Sequence, residues 1–392
     1  MENTIKKKTD KKPNKVREYL TSCGISLSPK FYFVDAMGAM ALGLFASLLI
    51  GTIFGTLATY TGLAAFTMIA TYAKAATGMA IGVAIAHKLG GHPLVIYSCA
   101  AVGAMANAMG AVIDGGAIVS WAATAKADGM TGVFYSSGPA GAFLAVVIAC
   151  EAAKLVSKKT KVDILVTPVV TLLVGFGASW LLTPIVSYAM YYLGVFIASA
   201  TTYLPFIMGI IVSVVMGVVL TLPISSAAIC AMIFSASALE VAVLNGTSEG
   251  FLLAGGACVA GCCAQMVGFA VASFRENRWG GVVAQGIGTS MLQMGNIVKN
   301  PLVWVPATLA SAITGPISTC LFKLECIGVS AGMGTCGFVG PIGVFSEMGF
   351  NTRSIIGVIV VCIVLPAILS LVFSEVMRKF GWIKTDDMKL DL

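Results

Sequence analysis

Apolar blocks dominate this chain. Between a basic arm at 1–32 and a short basic tail at 378–392, the sequence is almost continuously hydrophobic. A helix needs about 20 apolar residues to cross the hydrocarbon core of a bilayer. Blocks of roughly that length fall at 33–57, 62–87, 94–113, 138–157, 163–182, 203–222, 225–243, 250–273, 281–297, 301–321 and 354–377. The stretch 327–349 predicts a broken crossing. The pattern therefore predicts an all-α fold, a polytopic membrane helical bundle of about ten transmembrane helices with one or two re-entrant segments.

Charge placement supplies an orientation. Lys6, Lys7, Lys8, Lys11, Lys12, Lys15 and Arg17 precede the first block; Lys154, Lys158, Lys159 and Lys161 lie between two blocks. Arg275 and Arg278 lie between two more, and Arg378, Lys379 and Lys384 follow the last. Basic loops stay on the cytoplasmic side and attract anionic lipid. The sequence thus predicts a multi-pass protein of the cell (plasma) membrane with both termini cytoplasmic. The first block is too long, and too far from the start, for a signal-peptide core, so no cleaved signal is expected.

Residues 183–202 differ from their neighbours. Pro184, Ser187, Tyr191 and Tyr192 alternate with Val186, Met190, Leu193 and Phe196. Aromatic residues favour headgroup depth, and the mixture predicts a helix lying at the interface. It would link an N-terminal membrane half at 33–182, expected to hold a dimer contact, to a C-terminal half at 203–377, expected to carry transport.

Glycine shapes two further expectations. Gly51-x-x-x-Gly55 and Gly78-x-x-x-Gly82 allow close helix approach, either within one subunit or across a dimer. The run Gly332 to Gly343 holds five glycines and Pro341 in twelve residues, too many for a robust helix. Irregular backbone at membrane depth survives only inside protein or beside a cavity, so this run points to a substrate path.

Polar residues inside apolar blocks are costly and mark candidate chemistry. The segment 288–301 carries Ser290, Gln293, Asn296, Lys299 and Asn300 before Pro301. Neutral amides and hydroxyls suit a polar, uncharged or polyhydroxylated ligand; interhelical hydrogen bonding is an equal explanation for any one of them. Gln293, Asn296 and Asn300 are expected to face Thr335 and the glycine run across a cavity, with Ser225 and Ser226 as the next candidates. Among isolated charges, Lys74 is expected to pair with Asp35, Glu151 to snorkel near a cytoplasmic end one turn from Lys154, and Asp114 to lie in a loop. Glu240 either faces a watery path or marks a helix end, and His87 and His92 flank a solvated turn.

Composition excludes several classes. Only 10% of residues are charged and 58% are hydrophobic, whereas soluble domains are about 25% charged. Neither end is long enough for a soluble catalytic domain. The net charge of +7 sits in juxtamembrane runs, which argues against a nucleic-acid partner. Eleven cysteines lack framework spacing, and Cys258, Cys262 and Cys263 read as small apolar residues rather than a metal site. Asn245-Gly246-Thr247 fits a short glycosylation sequon, a weak pattern. No cofactor motif, Walker loop or nucleophile–base set is present, which leaves an intramembrane enzyme the weakest class.

Residues 138–321 resemble the membrane component, enzyme IIC, of the sugar phosphotransferase system, and its fructose branch most. The resemblance runs through Gly138-Pro-Ala-Gly-Ala-Phe-Leu, the basic turn Lys158-Lys159-Thr-Lys161 and Thr167-Pro168-Val-Val-Thr-Leu-Leu-Val-Gly175. It continues through Leu222-Pro223-Ile-Ser225-Ser226-Ala-Ala and from Gly286-Ile-Gly-Thr-Ser to Lys299-Asn300-Pro301. The whole chain is similar to the enzyme IIC-like group that includes the perfringolysin regulatory membrane protein. The resemblance implies a homodimer, a sugar or other small polar solute, and separate phosphotransferase subunits. The family's substrate-binding Glu is missing from 288–301, where Gln293 is the nearest polar residue, and Val219 stands where the fructose branch has Asp. Two readings follow: an enzyme IIC-like permease, or a membrane sensor on the same fold without phosphotransfer.

Overall fold

A computed structural model describes residues 15–26, 28–222 and 225–390. Lys6, Lys7, Lys8, Lys11 and Lys12 of the basic arm, and Pro223, lie outside the described residues. The described residues form helices, their connections and one small sheet. In order it forms α1 (Lys15–Ser22), α2 (Phe31–Thr61), α3 (Ala64–Ala75), α4 (Thr77–Lys88) and α5 (Pro93–Ala108). The strands β1 (Gly110–Asp114), β2 (Ala117–Ala123) and β3 (Val133–Ser136) follow. Then come α6 (Gly138–Val156), α7 (Asp163–Tyr203), α8 (Pro205–Thr221), α9 (Ser226–Ile233), α10 (Ala236–Leu244) and α11 (Ser248–Ala272). The last part contains α12 (Phe274–Val283), α13 (Met294–Lys299), α14 (Pro301–Phe322), α15 (Gly328–Ala331), α16 (Val339–Met348) and α17 (Thr352–Lys379).

Among the described residues, seven helical stretches are long and apolar enough to cross a bilayer, and the bent pair α3–α4, with a 49° break, makes an eighth if it counts as one span. This stands against the ten expected. Part of the difference lies in α5 and α8, whose 16 and 17 residues fall short of the ~20 that a full crossing needs. The block 281–297 is no continuous helix: it breaks into the end of α12, a π turn at Ala284–Gly288, a 3-10 turn at Ser290–Gln293 and α13. The block 94–113 ends at Ala108, and its remainder enters the sheet, whose order is β2-β1-β3 with both pairings antiparallel. Asp114 is accordingly the last residue of β1 rather than a loop residue.

Residues 183–202, expected as a separate interfacial helix, continue α7 without a break. At 41 residues this rod is about 60 Å long, twice the thickness of the hydrocarbon core. Pro184 is accommodated inside it. The cause is a stripe of small residues four apart: Thr167, Thr171, Gly175, Ser179, Thr183 and Ser187 are all buried. Small side chains let neighbouring helices approach along the whole length. Thr171 and Ser179 return their hydroxyls to the carbonyls of Thr167 and Gly175, both at 2.7 Å, whereas the buried hydroxyls of Thr183 and Ser187 have no hydrogen-bond partner among the described residues.

Two large apolar cores result. One is built from α2, α4, α5 and α6, around Met40, Leu44, Ile81, Ile85, Val95 and Val146. The other surrounds α11, around Phe234, Phe251, Met266, Leu324 and Val361. The helix α9 belongs to both: Ala227, Ala228 and Ala231 pack on the first core, while Cys230 and Phe234 pack on the second. The Gly-x-x-x-Gly patterns are spent inside the subunit. A Cβ on Gly78 would meet the Gly103 carbonyl at 2.7 Å, and one on Gly51 would meet the Lys74 side chain at 2.7 Å.

Candidate functional site

Two broken hairpins enter the bundle from opposite ends and meet inside it. The first spans α12 to α13, and its base lies at the end that carries Lys88, Lys158, Lys159, Arg275 and Arg278. We call this the basic end. The second spans α15 to α16, and its base lies at the opposite end, where Lys323 pairs with Glu249 at 2.8 Å. The tips touch: Thr335 Oγ1 donates to the Gly286 carbonyl at 2.6 Å.

The second tip depends on backbone contact. Gly332 lies so close to α9 that an added Cβ would meet the Ser226 carbonyl oxygen at 2.5 Å. Ser226 Oγ donates to the Gly332 carbonyl at 2.7 Å. Gly334 has φ +56° and abuts the Cys262 backbone, where a Cβ would approach to 2.7 Å. Phe338 holds φ 59° without being glycine, a conformation that costs roughly 1–3 kcal/mol and is retained where the surroundings dictate it. The glycine run is thus a close-packed turn between two helices.

The first tip depends on side chains. Gln285, fully buried, donates to Ser273 Oγ at 2.8 Å and accepts from Gln293 Nε2 at 2.9 Å. Ser290 meets Thr221 at 3.2 Å, and Thr221 reaches Gln265. At the base, Arg378 and Glu276 form a buried ion pair at 2.8 Å.

A cavity opens on each side of the meeting point. The basic-end cavity, of about 590 Å³, is lined by Asp35, Lys88, Ser225, Ser226, Thr289, Met333 and Cys336, among others. The opposite cavity, of about 390 Å³, is lined by Lys74, Asn107, Ser136, Ser237, Ser330 and Glu347, among others. Three elements pass from one wall to the other within about a helical turn: α2 from Phe45 to Leu48, α9 from Ala227 to Ala231, and the second hairpin from Met333 to Ser330. Ala228, Cys230 and Ala331, which lie between, are fully buried. Outside the spans, Glu325 sits near the opposite end. Burial pushes its carboxyl up first, and neighbouring Glu249 adds to this.

The structure distributes the expected site residues unevenly. Ser225, Ser226 and Thr335 lie at the junction; Ser225 also caps α9 by accepting from the Ala228 amide. Ser290 is buried behind the first tip. Gln293, Asn296 and Asn300 do not face the glycine run across a cavity. Their amides hold the C-terminal tail: Gln293 donates to the Met388 carbonyl at 3.0 Å, Asn296 to that of Lys389 at 2.8 Å, and Asn300 to that of Trp382 at 3.0 Å. The Lys74–Asp35 pair is not formed. Asp35 instead pairs with Lys88 at 3.6 Å, because α4 carries Lys88 back to the start of α2 while Lys74 faces the opposite cavity. Glu151 pairs with Lys154 at 3.1 Å and accepts from Tyr32 at 3.0 Å. His87 is exposed in the last turn of α4, and Glu240 is exposed in the middle of α10 rather than at a helix end. Cys258, Cys262 and Cys263 are free and fully buried.

Sequence reasoning missed Glu347 and the polar set of the opposite cavity. The available signal was a lone lysine and a lone carboxylate in apolar surroundings, each costly without a watery cavity. Compared with known proteins, the chain matches a family model described as "Phosphotransferase system, EIIC" over residues 34–390. No curated protein matches it.

Proposed function

The chain belongs to the phosphotransferase-system EIIC family, and from that premise we propose that it moves a sugar or similar small polar solute along the junction of its two hairpins. Family membership makes it a multi-pass membrane component of sugar transport by the phosphotransferase system, with other subunits of that system as partners. The proposal concerns the path. One observation carries it: two cavities, each with a few polar side chains set in a mainly apolar wall, approach each other from opposite ends and are separated by about one turn of α9 and the second hairpin. A layer that thin is what an alternating-access pathway requires, since small shifts of one element expose the same groups to either side.

In this reading Ser225, Ser226, Thr289 and Thr335 offer hydroxyls to the solute. Ser290, Gln293, Asn296 and Asn300 support the first tip from behind. The half at 33–182 serves as scaffold, and elements of 203–377 move against it. The basic end faces the cytoplasm of the cell by the positive-inside rule, and a separate phosphoryl-donor subunit docks there. The homodimer enters this proposal from the family resemblance alone, because both glycine patterns are spent within the subunit.

Thermal unfolding of the purified protein in detergent, across a panel of hexoses, pentoses and polyols, tests the reading. At least one sugar should raise Tm in a concentration-dependent way. A flat response across the panel would overturn it. A second reading, a sensor on the same fold without phosphotransfer, is favoured by the absence of a carboxylate from 288–301. Stabilisation by a sugar without its uptake into vesicles that also hold the other phosphotransferase subunits would support that reading.

A further inference from the structure

The tail after α17 is short and irregular. Four neutral amide side chains of the first hairpin region engage it. Asn277 Nδ2 donates to the Met388 carbonyl at 2.7 Å and its Oδ1 accepts from the Leu390 amide at 2.8 Å. Gln293 reaches the same Met388 carbonyl, Asn296 reaches Lys389, and Asn300 reaches both Trp382 and the Asp387 carboxylate. Most of these bonds go to main-chain atoms, so they recognise the path of the tail rather than its side chains. Asp387 also accepts from the Lys384 amide at 2.8 Å, which folds the tail into a turn.

Two apolar side chains seat the segment. Ile383 and Met388 are buried in a third core, separate from the other two, with Phe269, Ile297, Val303, Ala307 and Met377. Ile297 belongs to α13, one leg of the hairpin. Arg378 ties the same region to the hairpin base through Glu276, the Ala272 carbonyl and the Met388 sulfur. The tail therefore touches the hairpin at its base, on one leg and, through Gln293 and Gln285, one residue short of its tip at Gly286.

We propose that residues 382–390 form a strap that positions the basic-end hairpin, and thereby governs entry to the basic-end cavity. This rests on reading that cavity as part of the solute path. Asn277, Gln293, Asn296 and Asn300 are positioning residues in this account. The connection is continuous: Met388 carbonyl to Gln293, Gln293 to Gln285, Gln285 beside Gly286, and Gly286 to Thr335 on the other tip. Gly288 and Thr289, two and three residues beyond Gly286, line the cavity itself. Release of the strap frees the leg 294–299 and loosens the point where the two tips meet.

The test needs no sugar. Cys336 lines the basic-end cavity and is half-buried, so its maleimide labelling, read by peptide mass spectrometry, reports access. Two full-bundle variants are compared with wild type in detergent: deletion of 382–392, and Asn296→Ala with Asn300→Ala in the intact chain. The double variant removes the strap bonds of Asn296 and Asn300, and with them the Asn296 bond to Gln293 Oε1 and the Asn300 cap on the Leu302 amide, while Gln293 keeps its own bonds to Gln285 and Met388. Both should label Cys336 several-fold faster and lose hydrogen-exchange protection over 284–293. A synthetic peptide of residues 382–392 should restore the wild-type rate to the truncated protein. Wild-type labelling rates in the double variant, or unprotected amides at 383–390 in the wild-type protein, would overturn the strap. Because sugar-induced stabilisation is measured separately, a failed strap leaves the carrier reading standing, and a failed carrier reading leaves the labelling result intact.

Discussion

The two hairpins do the same geometric job with opposite materials. The hairpin at 328–348 is held by backbone packed on backbone, through Gly332 and Gly334 against α9 and α11. The hairpin at 274–299 is held by a chain of amides, from Ser273 through Gln285 and Gln293 to the tail. Their bases differ in the same sense. Arg378–Glu276 is buried, with side-chain exposures of 11% and 3%, whereas Lys323–Glu249 is exposed at 48% and 64%. A glycine contact admits one geometry and fails abruptly when filled. An amide network has several members, each worth about 1 kcal/mol, and can loosen by degrees. The comparison assigns rigidity to one tip and adjustability to the other.

The largest effect expected is at the rigid tip. Gly334→Val places a β-branched residue at φ +56° against the Cys262 backbone; strain and overpacking together should cost about 4 kcal/mol. Thermal unfolding and the yield of monodisperse protein measure it, and a near-wild-type Tm would show that this tip adapts. Next is the buried pair. Arg378→Ala leaves Glu276 buried without its partner and should cost about 3 kcal/mol. Adding Glu276→Gln should recover part of that loss; an equal or greater loss in the double variant would mean that the guanidinium acts through Ala272 and Met388 instead.

Smaller effects sharpen the picture. Thr335→Val removes the one hydrogen bond between the tips and should cost about 1–2 kcal/mol, because the Gly286 carbonyl loses its donor. It should also speed labelling of Cys336, and unchanged labelling would separate tip contact from cavity access. Least of all, Lys323→Gln should cost under about 1 kcal/mol, an effect that fades with added salt, as for any exposed pair. A loss as large as that of Arg378→Ala would erase the contrast between the two bases.

The long apolar blocks were readable because α2, α6, α11 and α17 each carry an unbroken run near crossing length. Elsewhere composition misled. Tyr191, Tyr192 and Pro184 look interfacial, yet the period-four stripe through Thr183 and Ser187 continues α7 past them. The sheet at 110–136 follows an apolar block so closely that β1 reads as its end. Broken backbone at 327–349 was readable from glycine content alone, and Thr335 came with it. The segment around Gln293 and Asn296 was readable as special but not as a tail clamp, since its partners Met388 and Lys389 lie more than ninety residues away and offer only carbonyls. The expected Lys74–Asp35 pair fails for a similar reason: sequence shows that a charge needs company, and only the fold shows that Asp35 meets Lys88.

The central claim is that the junction of the hairpins is the solute path. A structure determined with the sugar that gives the largest rise in Tm tests it most directly. The account predicts ligand density in contact with α9 and the hairpin tips, within reach of Ser225, Ser226, Thr289 or Thr335. Density bound elsewhere in the bundle, with both cavities unchanged, would contradict it.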